Sequence, residues 1–61
     1  MKVGDLVTLA PNVMVRREQN FAGFIIDFDE DNDPIVQWFL KGNKIFVESE
    51  YRSQVRIISE A

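Results

Sequence analysis

The sequence predicts a small all-β domain built as a five-stranded barrel. Three observations carry that expectation. The apolar residues fall into short runs rich in Val, Ile and Phe, each run is cut by Gly, Pro, Asn or Asp, and helical spacing of apolar residues is never sustained over the roughly ten residues a helix needs. Sixty-one residues leave room for one hydrophobic core, so residues 1–61 are read as a single domain.

Leu6 to Leu9 is the first strand, opening after Gly4-Asp5. Ala10 to Asn20 is a connection carrying Pro11, Asn12 and Asn20. Phe21 to Phe28 is the second strand, rich in β-branched and aromatic residues. Asp29-Glu30-Asp31-Asn32-Asp33-Pro34 ends it, since these residue types favour turns over ladders. Ile35 to Leu40 is the third strand, with Val36, Trp38 and Leu40 on one face and Gln37 on the other. Lys41-Gly42-Asn43 turns the chain because Gly and Asn tolerate the positive φ of a tight hairpin. Ile45 to Glu48 returns as the fourth strand. Ser49 to Ser53 is expected to make at most one 3₁₀ turn before a last strand at Val55 to Ile58. Closing these strands into a barrel removes most exposed sheet edges.

The expected core is Val7, Ile26, Val36, Trp38, Tyr51 and Val55, with Ile25, Gln37 and Phe39 less buried. Because successive strand residues face opposite ways, one of Trp38 and Phe39 is comparatively exposed. The preferred register turns Trp38 inward beside Val36 and Leu40; a shift by one residue would put Trp38 beside a groove and turn Ile35 and Phe39 inward.

Lys2-Val3-Gly4-Asp5-Leu6-Val7 resembles the KxGDxV opening of many small SH3-like barrels, KOW-type modules among them. Gly23-Phe24-Ile25-Ile26, the acidic turn and Ile35-Val36-Gln37-Trp38 resemble their second and third strands. Tyr51-Arg52-Ser53-Gln54-Val55-Arg56-Ile57-Ile58 resembles their short turn and final strand. The resemblance spans nearly the whole chain and implies an SH3-like five-stranded barrel with one 3₁₀ turn before the last strand. The chain is also similar to short uncharacterised proteins of tailed phages, which would place it in the host cytoplasm. The acidic specificity loop and tryptophan pair of the peptide-binding SH3 domains have no match, so a Pro-rich ligand is not implied.

Composition argues against catalysis. The chain has no His and no Cys, which removes the commonest general base near neutral pH, the best thiol nucleophile and any disulfide or thiolate metal site. No catalytic residue and no cofactor is expected, and no small-molecule substrate is evident. Asp27, Asp29 and Asp31 are spaced like the first ligands of a calcium-binding EF-hand loop, but Asn32 stands where that loop needs Gly and Trp38 where it needs Glu. The acidic turn is therefore read as a solvated hairpin tip, and no metal site is assigned. The N-terminal stretch lacks an apolar core of signal-peptide length, and no run approaches the roughly 20 apolar residues of a membrane span. A cytoplasmic domain without membrane contact is expected.

Two functional classes remain. The net charge of −3 opposes a non-specific phosphate binder. Five of the ten acids sit between Asp27 and Asp33, however, and the rest of the chain carries a net +2. Arg16 and Arg17 could then share a face with Lys41, Lys44, Arg52 or Arg56, near Phe21 or Phe39, for an RNA- or DNA-binding barrel. The preferred class is a non-catalytic module for a protein partner or for self-association, either a phage accessory protein or a homo-oligomer subunit. Its expected contact residues are Arg16 and Arg17 in the first loop, with Phe39 and Ile45 as an exposed apolar patch. Val13 and Val15 in that loop serve either the contact or the closing of one barrel end.

Overall fold

Among the described residues each expected strand forms, and each pairs antiparallel with its neighbours. In a computed structural model, which describes residues 1–10 and 22–61, the strands are β1 (Leu6–Leu9), β2 (Ala22–Phe28), β3 (Pro34–Leu40), β4 (Lys44–Ser49) and β5 (Val55–Ser59). They form one sheet in the order β4-β3-β2-β1-β5. Among the described residues β4 and β5 are its two edges, and the ladder is open between them. The 3₁₀ turn before the last strand lies at Arg52–Gln54, at the end of the expected stretch, and Lys41–Asn43 forms a second one. There Gly42 and Asn43 take φ of 75° and 62°, the left-handed region those residue types tolerate. The expected first connection, including Arg16 and Arg17, lies outside the described residues.

Trp38 organises the core. It is fully buried with Val7, Ile25, Val36 and Val55, and Leu9 and Phe28 pack against this cluster. The expected inward register of β3 is the observed one, with Val36 and Trp38 buried and Phe39 exposed. Gly23 lies directly opposite Trp38. A Cβ there would stand 2.9 Å from Trp38 Cε3 and 2.5 Å from the Gln37 carbonyl oxygen, so only the absence of a side chain lets the indole and β3 come this close to β2.

Two core expectations are corrected. Ile25 is 1% exposed and Ile26 42%, the reverse of the expected order. Gly23 fixes the inward face at Trp38, and alternation from it carries Ile25 inward. The register then slips between Ile25 and Asp27, so Ile26 is a bulge residue without a partner on β3. The slip restores Phe28, opposite Pro34, to the core side. Tyr51, the second correction, is 68% exposed. It stands just before the Arg52–Gln54 turn, and its carbonyl accepts the Gln54 N–H at 2.9 Å. Val55 takes the inward position that begins β5.

The opening Gly4-Asp5 is a structural clamp. The Asp5 carboxylate is buried, accepts the Lys2 and Ala61 backbone N–H groups at 2.9 Å each, and lies 3.5 Å from Lys2 Nζ. Those backbone donors hold its pKa below the ordinary aspartate value against the opposing effect of burial. Gly4, at φ 97°, donates to the Ile25 carbonyl at 2.8 Å and so ties the chain start to β2.

Candidate functional site

The sheet face opposite Trp38 carries apolar side chains in water. Residues directly opposed in an antiparallel ladder share a face. Leu6, Phe24, Gln37 and Val47 therefore form one row across β1 to β4, and Ala22, Phe39 and Ile45 form the next. Phe39 and Phe24 meet edge to face, with ring centroids 5.6 Å apart and planes at 81°. Both rings stay exposed, as do Ile45 and Val47. Scattered exposed apolar residues are normal on a monomer, whereas adjoining ones on a single face make that face a candidate contact surface.

The structure thus sets the expected pair Phe39 and Ile45 directly opposite each other, 39% and 57% exposed. It extends the patch to Phe24 and Val47. The inward position of Trp38 was the signal for Phe39 and, by cross-strand register, for Ile45. Phe24 escaped notice because its face depended on Gly23.

The described cations are not gathered on one face. Lys2 lies beside Asp5. Arg52 is held at the acidic turn, where Nη2 donates to the Asn32 carbonyl at 2.7 Å, its backbone N–H donates to Asp33 Oδ1 at 3.1 Å and its guanidinium lies 6.0 Å from the Phe28 ring centre. Lys44 and Arg56 sit on the two opposite edge strands. Arg16, Arg17, Phe21 and the Lys41 side chain lie outside the described residues.

The acidic turn is more than a solvated tip. Asp29 Oδ1 accepts the N–H groups of Asp31 and Asp33 at 2.9 Å each, and Oδ2 accepts the Ser49 hydroxyl at 2.6 Å. These bonds, the Ser49 hydroxyl foremost, lower the Asp29 pKa. Asn32 closes the turn at φ 65°, a position Asn tolerates well. A cleft of about 340 Å³ between this turn and the end of β4 is lined by Asp29, Asp31, Asp33, Glu48 and Glu50, with Tyr51 at its rim. Glu50 accepts the Trp38 indole N–H at 3.0 Å. Burial raises the Glu50 pKa, the indole bond opposes that shift, and the Glu48 charge adds to it.

The Asp29 carboxylate, with both oxygens engaged, is a poor calcium ligand. No group of three acidic, His or Cys residues among the described residues is placed to hold a metal ion. Millimolar calcium is accordingly expected to leave the melting temperature unchanged. A ligand that binds only the folded state must stabilise it by mass action, so a rise of several degrees in a thermal melt would reverse this reading of the turn.

Fold and surface together define a small all-β domain whose single antiparallel sheet buries one face around Trp38 and presents an apolar outer face. Among the described residues no helix is long and apolar enough to cross a membrane. No family model, curated protein or solved structure matches the chain.

Proposed function

We propose that this chain is a non-catalytic protein-interaction module of the small SH3-like barrel kind, and that it meets its partner through the outer face of β2, β3 and β4. The observation that carries this reading is the exposed cluster of Phe24, Phe39, Ile45 and Val47 on the face the core does not use. A few side chains near the centre of a protein contact carry most of its binding energy, and aromatic residues are enriched at such centres. The barrel reading draws support from β1, which pairs with both β2 and β5, and from the 3₁₀ turn directly before β5. Arg16 and Arg17, which lie outside the described residues, remain part of the proposed contact. A nucleic-acid role is the less favoured reading, because Lys2 and Arg52 engage groups of their own chain and Lys44 and Arg56 lie on opposite edges.

The test is capture of a partner from native extract by the wild type and by Phe39→Ser, with salt varied. Truncating an aromatic anchor costs about 2 kcal/mol or more, roughly thirtyfold in affinity. Capture should fall by that order in Phe39→Ser while persisting from about 0.1 M to about 0.5 M salt, where phosphate binding would collapse. Capture that is lost on raising salt, and lost in Arg16→Ser/Arg17→Ser but not in Phe39→Ser, would favour the nucleic-acid reading.

A further inference from the structure

We infer that a second copy of this chain pairs with the β4 edge, joining two sheets antiparallel across a two-fold axis at Phe46. The inference deepens the interaction-module reading by naming a partner, and it rests on backbone pairing along the strand edge, not on the Phe24 and Phe39 rings of the outer face. Every residue of β4 is exposed, and among the described residues its one hydrogen-bonded neighbour is β3. Such an edge is a template for another strand unless something blocks it. The other edge, β5, is interrupted by an irregularity opposite Leu6 and Val7. β4 runs from Lys44 to Ser49 opposite β3 without a register shift, and its centre is Ile45-Phe46-Val47, with no Pro, no bulge and no charge.

The backbone and the side chains select the same register. Glu50 N–H donates to the Pro34 carbonyl at 3.0 Å. Hydrogen-bonded pairs alternate along an antiparallel ladder. Phe46 and Glu48 therefore bond toward β3, and the N–H and C=O groups of Ile45 and Val47 point away from it. Pairing through those groups requires residues of like parity to oppose each other. Centring on Ile45 sets Lys44 against Phe46; centring on Val47 sets Lys44 against Glu50, which is already engaged by the Trp38 indole, but also Phe46 against Glu48 and Ile45 against Ser49. Centring on Phe46 sets Lys44 against Glu48 of the second copy, Ile45 against Val47, and Phe46 against itself. Charges of opposite sign then meet twice, apolar side chains meet apolar ones, and the Ile45 and Val47 backbone groups exchange hydrogen bonds. Within one chain Lys44 and Glu48 stand about 14 Å apart at roughly 3.4 Å per residue, too far to pair with each other, whereas the two-fold brings each against its opposite charge.

Sedimentation of the full chain over a concentration series tests this. The wild type should pass from 7.1 kDa to twice that mass. Lys44→Glu and Glu48→Lys should each weaken the dimer about tenfold or more, since each turns both attractive pairs repulsive, and the double charge swap should restore it. Hydrogen exchange of the wild type should show Ile45 and Val47 amides protected only at concentrations where the dimer forms. A wild type that stays at the monomer mass at about millimolar concentration, single variants that associate as the wild type does, or a swap that fails to restore association would each overturn the inference. Phe39→Ser keeps this apart from the outer-face reading, because it should weaken partner capture roughly thirtyfold while leaving the dimer dissociation constant unchanged.

Discussion

Replacing Trp38 by Ala is expected to unfold the domain or to lower its melting temperature by tens of degrees. Removing a buried aromatic side chain costs about 3–5 kcal/mol, transfer and cavity together. At about 0.05–0.15 kcal/mol per residue, a chain of 61 residues holds only about 3–9 kcal/mol in all. With a domain of this size losing roughly 4–8 °C for each kcal/mol, the loss falls near 12–40 °C. Trp38 touches both sides of the problem, because its ring fills the space over Gly23 and its N–H satisfies Glu50 at the core margin. Trp38→Phe keeps most of the buried ring and loses the indole bond, so it should fall between wild type and Trp38→Ala. Phe39→Ala, one residue along on the outer face, should stay folded. Circular dichroism melts of the three variants check the order, and a Trp38→Ala protein melting within a few degrees of wild type would contradict the assignment of the core face.

Gly23→Ala is the second large effect. The added methyl would lie 2.5 Å from the Gln37 carbonyl oxygen, 2.8 Å from Val36 Cγ1 and 2.9 Å from Trp38 Cε3. Flexible side chains give way to such a contact, but here one obstacle is the backbone of the paired strand and another is the largest core ring. Overpacking of this kind costs about 1–3 kcal/mol, and a backbone obstacle places Gly23→Ala at the upper end or beyond. Gly42→Ala provides the contrast. No atom lies within 4 Å of its Cβ position, so only the strain of φ +75° opposes it, about 1 kcal/mol. Equal melting temperatures for the two variants would show that β2 and β3 are not held as closely as described.

The alternation of apolar and polar residues was enough to place all five strands, to turn Val36 and Trp38 inward and to leave Phe39 in water. Turn chemistry at Asp29 to Asp33 and at Lys41 to Asn43 located the hairpins for the same reason: both signals are local, and period and φ preference act over a few residues. The Phe39 and Ile45 pair was legible too, because the hairpin turn between them sets the cross-strand register. Tertiary structure decided what depends on residues far apart in the chain. The choice between Ile25 and Ile26 was made by Gly23 lying under Trp38 and by the slip after Ile25, a pairing event that alternation within β2 does not encode. Tyr51 reads as core by type, yet the turn that brings Val55 inward leaves it outside. Asp5 reads only as the residue before the first strand, but its carboxylate is buried and takes the N–H groups of both Lys2 and Ala61. Asp29 reads as one acid among five, but it is the one whose oxygens order the turn and reach Ser49 on β4. Local sequence thus determined which segments become strands and which way most of them face. Long-range pairing determined which polar groups are structural and which edge stays open, since burial and hydrogen-bond satisfaction are set by neighbours that the chain brings together only on folding.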